Sequence, residues 1–332
     1  MTEYPTVSIV IITLGAKAFI KYLLDSLLKT DYPNFEIILI DNDSKDGTRK
    51  ILSQYKKKVK NMKVILKDHI DSYAKNNNDG VSASIGKYVV LANDDLKFPY
   101  KDWLKRLVEV MEANTRIGGA NPLILDWEGK EAQTLGLVAT PIPPIRIHIV
   151  PKHITNMSRS KLVELWSLYG ALMIFRRDIY QRSGGMDEDY SPMLGEEPDL
   201  TWRMKLLGYR MLGVTGSKVC HYLSATQSKF SHEKFLWGLK HSVDSSIKNL
   251  SLLWLLTRLP LFLVFQLINS RLVGFSSSYV VKSLTWNIRR LPHILVKRRV
   301  VQRSRKIKDN ECFKPLAPFS MLLAVVRKYY FS

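Results

Sequence analysis

The sequence predicts an α/β protein built around a mostly parallel sheet, and two observations lead to this fold class. Four continuous apolar, β-branched runs occur before residue 100. Unbroken apolar runs are typical of strands that are covered on both faces. Helical patterns fill the gaps, and strand–helix alternation with short links favours parallel strands joined by right-handed crossovers. The four runs are VSIVIIT (7–13), FEIILI (35–40), VIL (64–66) and YVVLA (88–92).

Helical spacing of apolar residues is found in the linking segments and continues beyond residue 100. Region 117–160 is rich in Pro and Gly and predicts a mixture of loops and strands. In one later helix, Pro198 fits the first turn and Gly208 fits the C-terminal stop. The predicted helices are 18–29, 47–58, 72–86, 102–113 and 196–208, and the later strands are 170–177 and two short ones within 209–222.

Composition changes near residue 228, which predicts a first domain over 1–228 and a basic, apolar helical region over 229–332. The chain has 332 residues and a net charge of +20, and residues 229–332 contain 19 Lys and Arg against four Asp and Glu. This asymmetry indicates an anionic partner for the tail, either nucleic acid or a membrane surface.

The cysteines and the N-terminus indicate the compartment. Only Cys220 and Cys312 are present, without CxxC spacing, so we expect neither a disulfide framework nor a zinc site. A reducing cytoplasm suits this composition. The N-terminus has no basic segment before its first apolar run, and we expect no secretory signal.

Polar side chains follow each of the four early strands. Thr13, Asp41, Lys67 and Asn93 each come directly after, or at the end of, an apolar run. Because parallel strands end at the same edge of a sheet, we expect these residues to line one crevice. Open α/β sheets bind ligands at that edge.

Two adjacent acids, Asp94 and Asp95, follow the fourth strand. Neighbouring carboxylates repel each other unless a cation compensates them. Mg²⁺ or Mn²⁺ binds one or two carboxylates and completes its coordination with water and substrate phosphates. A solvated turn is the alternative interpretation of an isolated Asn-Asp-Asp. The shared edge with Asp41 favours the cation.

The helix start GEEPD (195–199) is a second acidic cluster. Acids in a first turn are often only partners of the helix dipole. Asp199 and Arg203 have i,i+4 spacing, which predicts a simple surface ion pair. Glu196 or Glu197 is suited to accept a proton from an incoming hydroxyl if the helix start faces the crevice.

Taken together, these motifs resemble the family 2 inverting glycosyltransferases, which have the GT-A fold. The resemblance covers about residues 5–225. Four pieces match in order: the opening through IDNDSKDGT (40–48), NNNDGVSASIGKYVVLANDD (76–95), the long stretch from GALMIFRR to LLGYR (170–210), and Cys220-His221. It implies a Rossmann-like nucleotide-diphospho-sugar transferase fold, a nucleotide-sugar donor and a divalent cation, Mg²⁺ or Mn²⁺.

The resemblance also implies roles for particular residues. Asp95 is expected as the main metal ligand, with assistance from Asp94 or Asn93, and His221 as a further ligand or diphosphate contact. Glu197 is expected as the general base, and because the pair here is Glu196-Glu197 followed by proline, either glutamate can face the acceptor. The residues expected to contact the nucleotide are Thr13, Asp41, Asp43, Asn93 and Asp94.

Two departures from the family pattern affect the nucleotide side. The opening loop reads TLGAK where the family often has TYNR. The first turn reads IDNDS in place of VDDGS, which leaves one carboxylate fewer. Neither change removes the metal or base positions, although both can alter the preferred nucleotide. The glutamate at 197 leaves a catalytically degenerate relative as an alternative.

The C-terminal region predicts membrane association. The run at 250–268 has the length of a transmembrane helix, but Arg258 and Pro260 lie at its centre. We therefore expect helices lying at the interface with anionic lipid, and a helical extension of the core is the alternative. LPHILVKRRVVQRSR (291–305) resembles a stretch in family members that act on lipid-linked glycans, including rhamnosyltransferase-like members. This resemblance implies a glycan or polyprenyl-type lipid-linked acceptor at the cytoplasmic face of the cell membrane.

Other functional classes account for less of the sequence. A nucleic-acid-binding protein explains the basic tail but not the ordered acids, so we expect no nucleic acid partner. A sugar nucleotidylyltransferase would carry a glycine-rich GxGxR-like loop after the first strand. A processive synthase would carry QxxRW and several clean membrane spans. The sequence has neither signature.

Overall fold

A mixed sheet forms the centre of the fold. The computed structural model describes residues 4–150, 161–222, 232–272 and 274–317. In these segments ten strands join in one sheet, and two others form a separate hairpin. The strands are β1 (Val7–Thr13), β2 (Phe35–Asp41), β3 (Met62–Leu66), β4 (Tyr88–Ala92), β5 (Leu96–Lys97), β6 (Ile117–Leu125), β7 (Ala132–Thr134), β8 (Gly136–Ala139), β9 (Arg146–Ile149), β10 (Leu162–Leu165), β11 (Leu172–Arg176) and β12 (Arg210–His221).

Helices cover the sheet and form a C-terminal layer. Early helices alternate with the parallel strands, as the sequence predicts. The helices are α1 (Ile20–Leu27), α2 (Thr48–Lys58), α3 (Tyr73–Ser82), α4 (Trp103–Ala113), α5 (Arg177–Arg182), α6 (Glu196–Leu206), α7 (His232–Asn249), α8 (Leu252–Leu272), α9 (Ser278–Ser304) and α10 (Asp309–Cys312).

The predicted parallel half of the sheet is confirmed. β1 lies between β4 and β2, β3 lies outside β2, and all three pairs are parallel. Thr13 is in register with Asp41, which is in register with Leu66. These strands therefore end together, and the polar residues after them share an edge. Valines, isoleucines and leucines of the central strands are fully buried, as unbroken apolar runs require.

The other half of the sheet differs from a simple parallel order. β11 is antiparallel to both β4 and β6. The two short strands predicted within 209–222 are one continuous strand, β12, with an irregularity between Val214 and Lys218. Beyond it, β12 reaches β5, where His221 pairs with Leu96. This extension brings His221 beside the loop that carries the adjacent acids.

The third helix ends before the predicted boundary. The pattern predicted a helix to residue 86, whereas α3 ends at Ser82. A Cβ atom at Gly86 would lie 2.6 Å from the backbone nitrogen of Ser8. Only glycine allows this close approach of the chain to β1. The close approach of the chain at Gly86 to β1 sets this boundary. Such an approach leaves no periodic pattern in the sequence, so it was not predicted.

The C-terminal helices pack on the catalytic part through buried charge. Lys248 of α7 is 2% exposed, and its Nζ lies 2.5 Å from Asp187 and 3.1 Å from Asp199. Lys297 of α9 pairs with Asp187 and lies 2.6 Å from Asp189. The predicted boundary at 228 falls outside the described residues, and the segments on either side of it share this network.

The basic stretch at 291–305 is partly internal. Arg298 donates to the carbonyls of Ile247 and Leu250, and the Gln302 amide donates to the carbonyls of Lys248 and Asn249. These side chains satisfy the C-terminal carbonyls of α7, which have no partners within the helix. Exposed charges on this stretch are Arg299 and Arg303.

The apolar helix α8 is poorly covered by the rest of the protein. Among the described helices it is long and apolar enough to cross a membrane, with 6% of its most apolar window buried. Leu253 and Leu256 are 69% and 66% exposed. This exposure argues against the alternative of a buried core extension. A further apolar run of the sequence, 316–331, lies outside the described residues from 318 onward.

Candidate active site

The nucleotide-side end of the crevice contains a buried ion pair. Asp41 is fully buried at the end of β2, and its Oδ1 accepts from Arg49 Nε at 2.6 Å and from the Ser44 N–H at 3.1 Å. Its Oδ2 is buried without a hydrogen-bond partner in the described residues. A buried acceptor normally has a donor, so this oxygen is available to a ligand group. Arg49, the second residue of α2, was not predicted from the sequence.

The turn after β2 is held in place before any ligand binds. Asp43 has a left-handed backbone with φ of 69°, and its carboxylate lies 2.5 Å from Lys45 Nζ and 3.4 Å from Arg49 Nη2. Asn42 exchanges hydrogen bonds of 3.0 and 2.9 Å with the backbone of Asp71. Asp43 thus already has two cationic partners, and its predicted nucleotide contact stays a prediction.

Thr13, Asn93 and Asp94 meet beside this turn. Thr13 is fully buried, and its carbonyl accepts from the Asn42 N–H at 2.8 Å. Asp94 Oδ2 lies 3.4 Å from the Leu14 N–H. Desolvation, with a smaller contribution from the adjacent Asp95, raises the pKa of Asp94 to about 6.

Asp95 and His221 form the candidate metal site. Both are buried, and His221 Nε2 lies 3.2 Å from Asp95 Oδ1. Gln133 Nε2 donates to the His221 carbonyl at 2.9 Å, so the Gln133 Oε1 faces His221 Nδ1 at 3.0 Å. A carbonyl can only accept, so Nδ1 carries the proton and the Nε2 of a neutral ring carries a lone pair. This lone pair and the Asp95 carboxylate face each other, as two ligands of one cation would.

These two residues fit a divalent cation that also uses substrate oxygens. Histidine ligands of metals commonly have their second nitrogen fixed by a hydrogen bond, as Gln133 fixes this one. Within the described segments, no group of three or more His, Cys, Asp or Glu is placed to hold a metal by itself. Asp95 and His221 would thus supply two ligands, and water and diphosphate the rest. Asp94 does not join them in a three-residue cluster.

The two glutamates at the start of α6 have different surroundings. Glu196 is 2% exposed and its Oε2 has no hydrogen-bond partner among the described residues. Glu197 is half-buried. Desolvation raises the pKa of both carboxyls, and the field of Glu197 raises that of Glu196 further. Glu197 is therefore the better placed of the two to meet a substrate.

Gly170 connects Glu197 to the acid-bearing loop. A Cβ atom at Gly170 would lie 2.1 Å from Glu197 Oε1, so the carboxylate packs directly on this glycine. The Tyr73 hydroxyl donates to the Gly170 carbonyl at 3.3 Å and lies 3.5 Å from Asn93 Oδ1. The Asn93 N–H donates to the Ala171 carbonyl at 3.0 Å. The Asn93–Asp95 loop and Glu197 thus flank one strand end.

The predicted surface pair of Asp199 and Arg203 is wrong in its location. Asp199 is fully buried, and Arg203 Nε donates to its Oδ2 at 2.8 Å. Asn249 of α7 donates to Oδ1 at 2.8 Å. Helical spacing correctly predicted the pair, but it contains no information on the helix α7 that covers it. This carboxylate is structural, whereas Glu197 two residues earlier is only partly buried.

The fold and site define a class: an α/β protein whose sheet edge carries several acids and whose helix α6 starts with a candidate carboxylate base. The glycosyl transferase family 2 profile matches residues 8–184, more than half of the chain, so the chain belongs to that family. This confirms the family named by the sequence motifs.

Relatives and solved structures agree with this assignment. The O-antigen biosynthesis protein RfbC of Myxococcus xanthus is 27% identical over 239 residues, which are 67% of this chain and 18% of that protein. The chain therefore corresponds to a small part of that relative. S. aureus TarS 1-349 in complex with UDP has a TM-score of 0.58 at 17% identity, covering 90% of this chain and 86% of that one.

A second solved structure matches the whole chain. The mannosyltransferase PcManGT from Pyrobaculum calidifontis, in complex with GDP-Man and Mn²⁺, has a TM-score of 0.54 at 16% identity. The match covers 100% of this chain and 82% of that one. At such identities the similarity establishes a GT-A-like fold with a mixed sheet. This confirms the predicted α/β fold class, whereas the predicted mostly parallel sheet holds only for β1–β4 and for the pair of β6 and β12.

Proposed function

We propose that this protein is an inverting glycosyltransferase that moves a sugar from a nucleotide-diphosphate donor to an acceptor hydroxyl with a divalent cation. The observation that carries the proposal is the pairing of Asp95 with His221 on one side of a strand end whose other side packs on Glu197. Acids for a metal and a separate buried carboxylate for a proton are the two requirements of such a transfer.

Glu197 is the proposed general base. It accepts the proton of the acceptor hydroxyl. The electron pair left on that oxygen attacks the anomeric carbon from the face opposite the nucleotide. The bond between that carbon and the diphosphate oxygen breaks, its electrons leave with the nucleotide, and the anomeric configuration inverts. A raised pKa brings a carboxyl closer to neutral pH, where a general base is most effective.

The donor is held at the other end of the crevice. Asp41, with its unpartnered Oδ2, is the proposed contact for the base or ribose of the nucleotide. Asp95 and His221 are the proposed ligands of Mg²⁺ or Mn²⁺. When bound, the ion neutralises charge on the departing diphosphate. The GDP-Man and Mn²⁺ in the PcManGT complex support this arrangement.

The proposed acceptor is a glycan, or a lipid-linked glycan, in assembly of a cell-surface polysaccharide at the cytoplasmic face of the membrane. The relative RfbC is named as an O-antigen biosynthesis protein, which supports a role in the assembly of a polysaccharide. The exposed apolar faces of α8 and α9 support the membrane. Residues at least 55% exposed on these helices are Leu252, Leu253, Leu256, Val264, Ile268, Leu272, Val281, Ile288, Val296 and Val300. Exposed basic residues beside them, such as Arg289 and Arg299, suit anionic lipid.

A donor panel tests the proposal. The detergent-purified protein is incubated with UDP-, GDP- and dTDP-sugars in the presence of Mn²⁺, Mg²⁺ or chelator, and released nucleotide is measured. Metal-dependent release from one donor is expected, with the sugar product inverted relative to the donor. Metal-independent release, or retention of configuration, contradicts the mechanism. Absence of both turnover and nucleotide binding contradicts the proposed function.

A further inference from the structure

The hairpin of β8 and β9 lies against the segment that leads to the base. The Leu137 N–H donates to the Ser167 carbonyl at 3.0 Å, and the Trp166 N–H donates to the Leu137 carbonyl at 2.8 Å. The chain continues from Ser167 to Gly170, on which the Glu197 carboxylate packs. The hairpin thus flanks the base side of the crevice.

One face of β9 is directed toward this side. Residues two apart in a strand share a face, so Arg146 and His148 lie together and Ile147 lies opposite. Ile147 is 7% exposed and packs in an apolar cluster with Val138. The His148 ring lies 5.3 Å from the ring of Tyr169, the neighbour of Gly170. The same face places Arg146 toward the glutamates.

Arg146 is a half-buried cation without a close partner. It forms no hydrogen bond with any described residue, and no nitrogen of Arg146 lies within 4.0 Å of a carboxylate of Glu196 or Glu197. Burial lowers the pKa of Arg146, and the fields of Glu197 and Glu196 act against this effect. Since a guanidinium keeps its charge in proteins, the positive charge is present beside the acids.

Of the charged and titratable groups that face Glu197, Arg146 is the one that favours its ionised form. Glu197 is faced by Glu196 on its own helix, by the Tyr73 hydroxyl of α3 and by Arg146 of β9. Two neighbouring buried carboxyls do not both ionise readily. Glu196 is the more buried, and its Oε2 has no partner in the described residues. If Glu197 is ionised and Glu196 is protonated, the single negative charge is compensated by the positive charge of Arg146.

We propose that Arg146 is a positioning residue that holds Glu197 in its ionised form while Glu196 stays protonated. This inference rests on the proposed function for its catalytic meaning. The expected charges of Glu197 and Glu196 can also be measured in a protein that turns over no donor. The hairpin that carries Arg146 therefore influences the protonation state of Glu197, although it lies about fifty residues earlier in the chain.

Infrared spectroscopy of the whole protein tests the charge directly. Carboxylic acids and carboxylates have separate stretching bands, so a Glu→Gln difference spectrum reports the state of that one residue. At pH 7, E197Q is expected to remove a carboxylate band from the wild type. In an R146Q background the same change is expected to remove a carboxylic acid band. R146K, which keeps the charge, is expected to behave as the wild type, as is R116Q at an exposed arginine.

The pH dependence of nucleotide release gives a second readout once a donor is known. Loss of Arg146 is expected to move the acidic limb upward by about one unit, so turnover at pH 6 falls about tenfold while turnover at pH 9 falls less than about twofold. R146M serves as a second neutral variant if R146Q does not fold.

An unchanged glutamate state in R146Q, or a loss of activity that is equal at all pH values, overturns the assignment. If the wild type turns over no donor, the proposed function fails, and the infrared result still decides the role of Arg146.

Discussion

Replacing Lys248 with methionine should strongly destabilise the protein. Its ammonium group is 2% exposed and lies 2.5 Å from Asp187, 3.1 Å from Asp199 and 3.7 Å from Asp244. The Tyr190 hydroxyl is 3.1 Å away. K248M keeps much of the side-chain volume but removes a charge shared by three buried carboxylates, so the carboxylates are left undercompensated.

The magnitude follows from the cost of an unpaired buried charge. Removing one partner of a buried ion pair costs about 3–5 kcal/mol in the free energy of unfolding. Arg203 and Lys297 remain beside Asp199 and Asp187, which favours the lower half of that range. At roughly 2 °C per kcal/mol for a protein of this size, Tm should fall by roughly 6–8 °C.

The pH dependence of this loss has a definite sign. Burial alone would raise the pKa of Asp187, but Lys248 and Lys297 outweigh it and hold the pKa well below its usual range. A lowered carboxyl pKa adds stability above about pH 4, its unfolded value, and that stability is lost as pH falls toward the folded value. The Tm difference between K248M and wild type should therefore be largest near pH 7 and should shrink below about pH 4.

Thermal unfolding followed by circular dichroism checks this prediction. K57M is the matched control because Lys57 is an exposed lysine on α2, and its Tm should stay within about 1 °C of the wild type. A K248M protein with the Tm of the wild type at pH 7 would show that the network does not join the C-terminal helices to the catalytic part.

Three further predictions concern the site and the helical face. G170A should displace the Glu197 carboxylate, which lies 2.1 Å from the position of the new Cβ atom, and lower turnover about 100-fold with little change in Tm, whereas G238A, with open space around it, should be neutral in activity. Wild-type turnover in G170A would contradict the placement of the base. Q133L should weaken Mn²⁺ binding about 10–100-fold by calorimetry because His221 loses its fixed orientation, and Q181L at an exposed glutamine should not. Unchanged Mn²⁺ affinity in Q133L would remove His221 from the metal site. L253E/L256E should reduce sedimentation with phosphatidylglycerol vesicles about tenfold or more, and I70E/I85E, at exposed apolar residues outside the helical region, should not. Equal sedimentation of both variants would exclude α8 as the membrane contact.

Local pattern was sufficient for the parallel half of the fold. Each early strand is an unbroken apolar run, and the residue that ends it is polar, so the edge with Thr13, Asp41 and Asn93 follows from the sequence alone. The start of α6 at Glu196 also matches its expected position. These features depend on neighbouring residues, which periodicity reports directly.

Long-range partners were not predictable in this way. Gln133 meets His221 across 88 residues, and Asn249 covers Asp199 across 50. Arg49 was missed although a basic residue directly after the DGT turn is a usable signal. No sequence spacing encodes which helix covers a charged pair, so the Asp199–Arg203 pair was expected on the surface and is buried. The internal contacts of Arg298 and Gln302 with the end of α7 could not be predicted for the same reason.

The most direct test of the central claim compares E197Q with E196Q on the donor that the wild type turns over. Both proteins should bind the nucleotide sugar with unchanged affinity, measured by calorimetry in the presence of Mn²⁺. E197Q should lose turnover, because the amide cannot accept the acceptor's proton. E196Q should keep most of it, because glutamine resembles the protonated acid expected at that position. Full turnover in E197Q, or loss confined to E196Q, would contradict the assignment of the base.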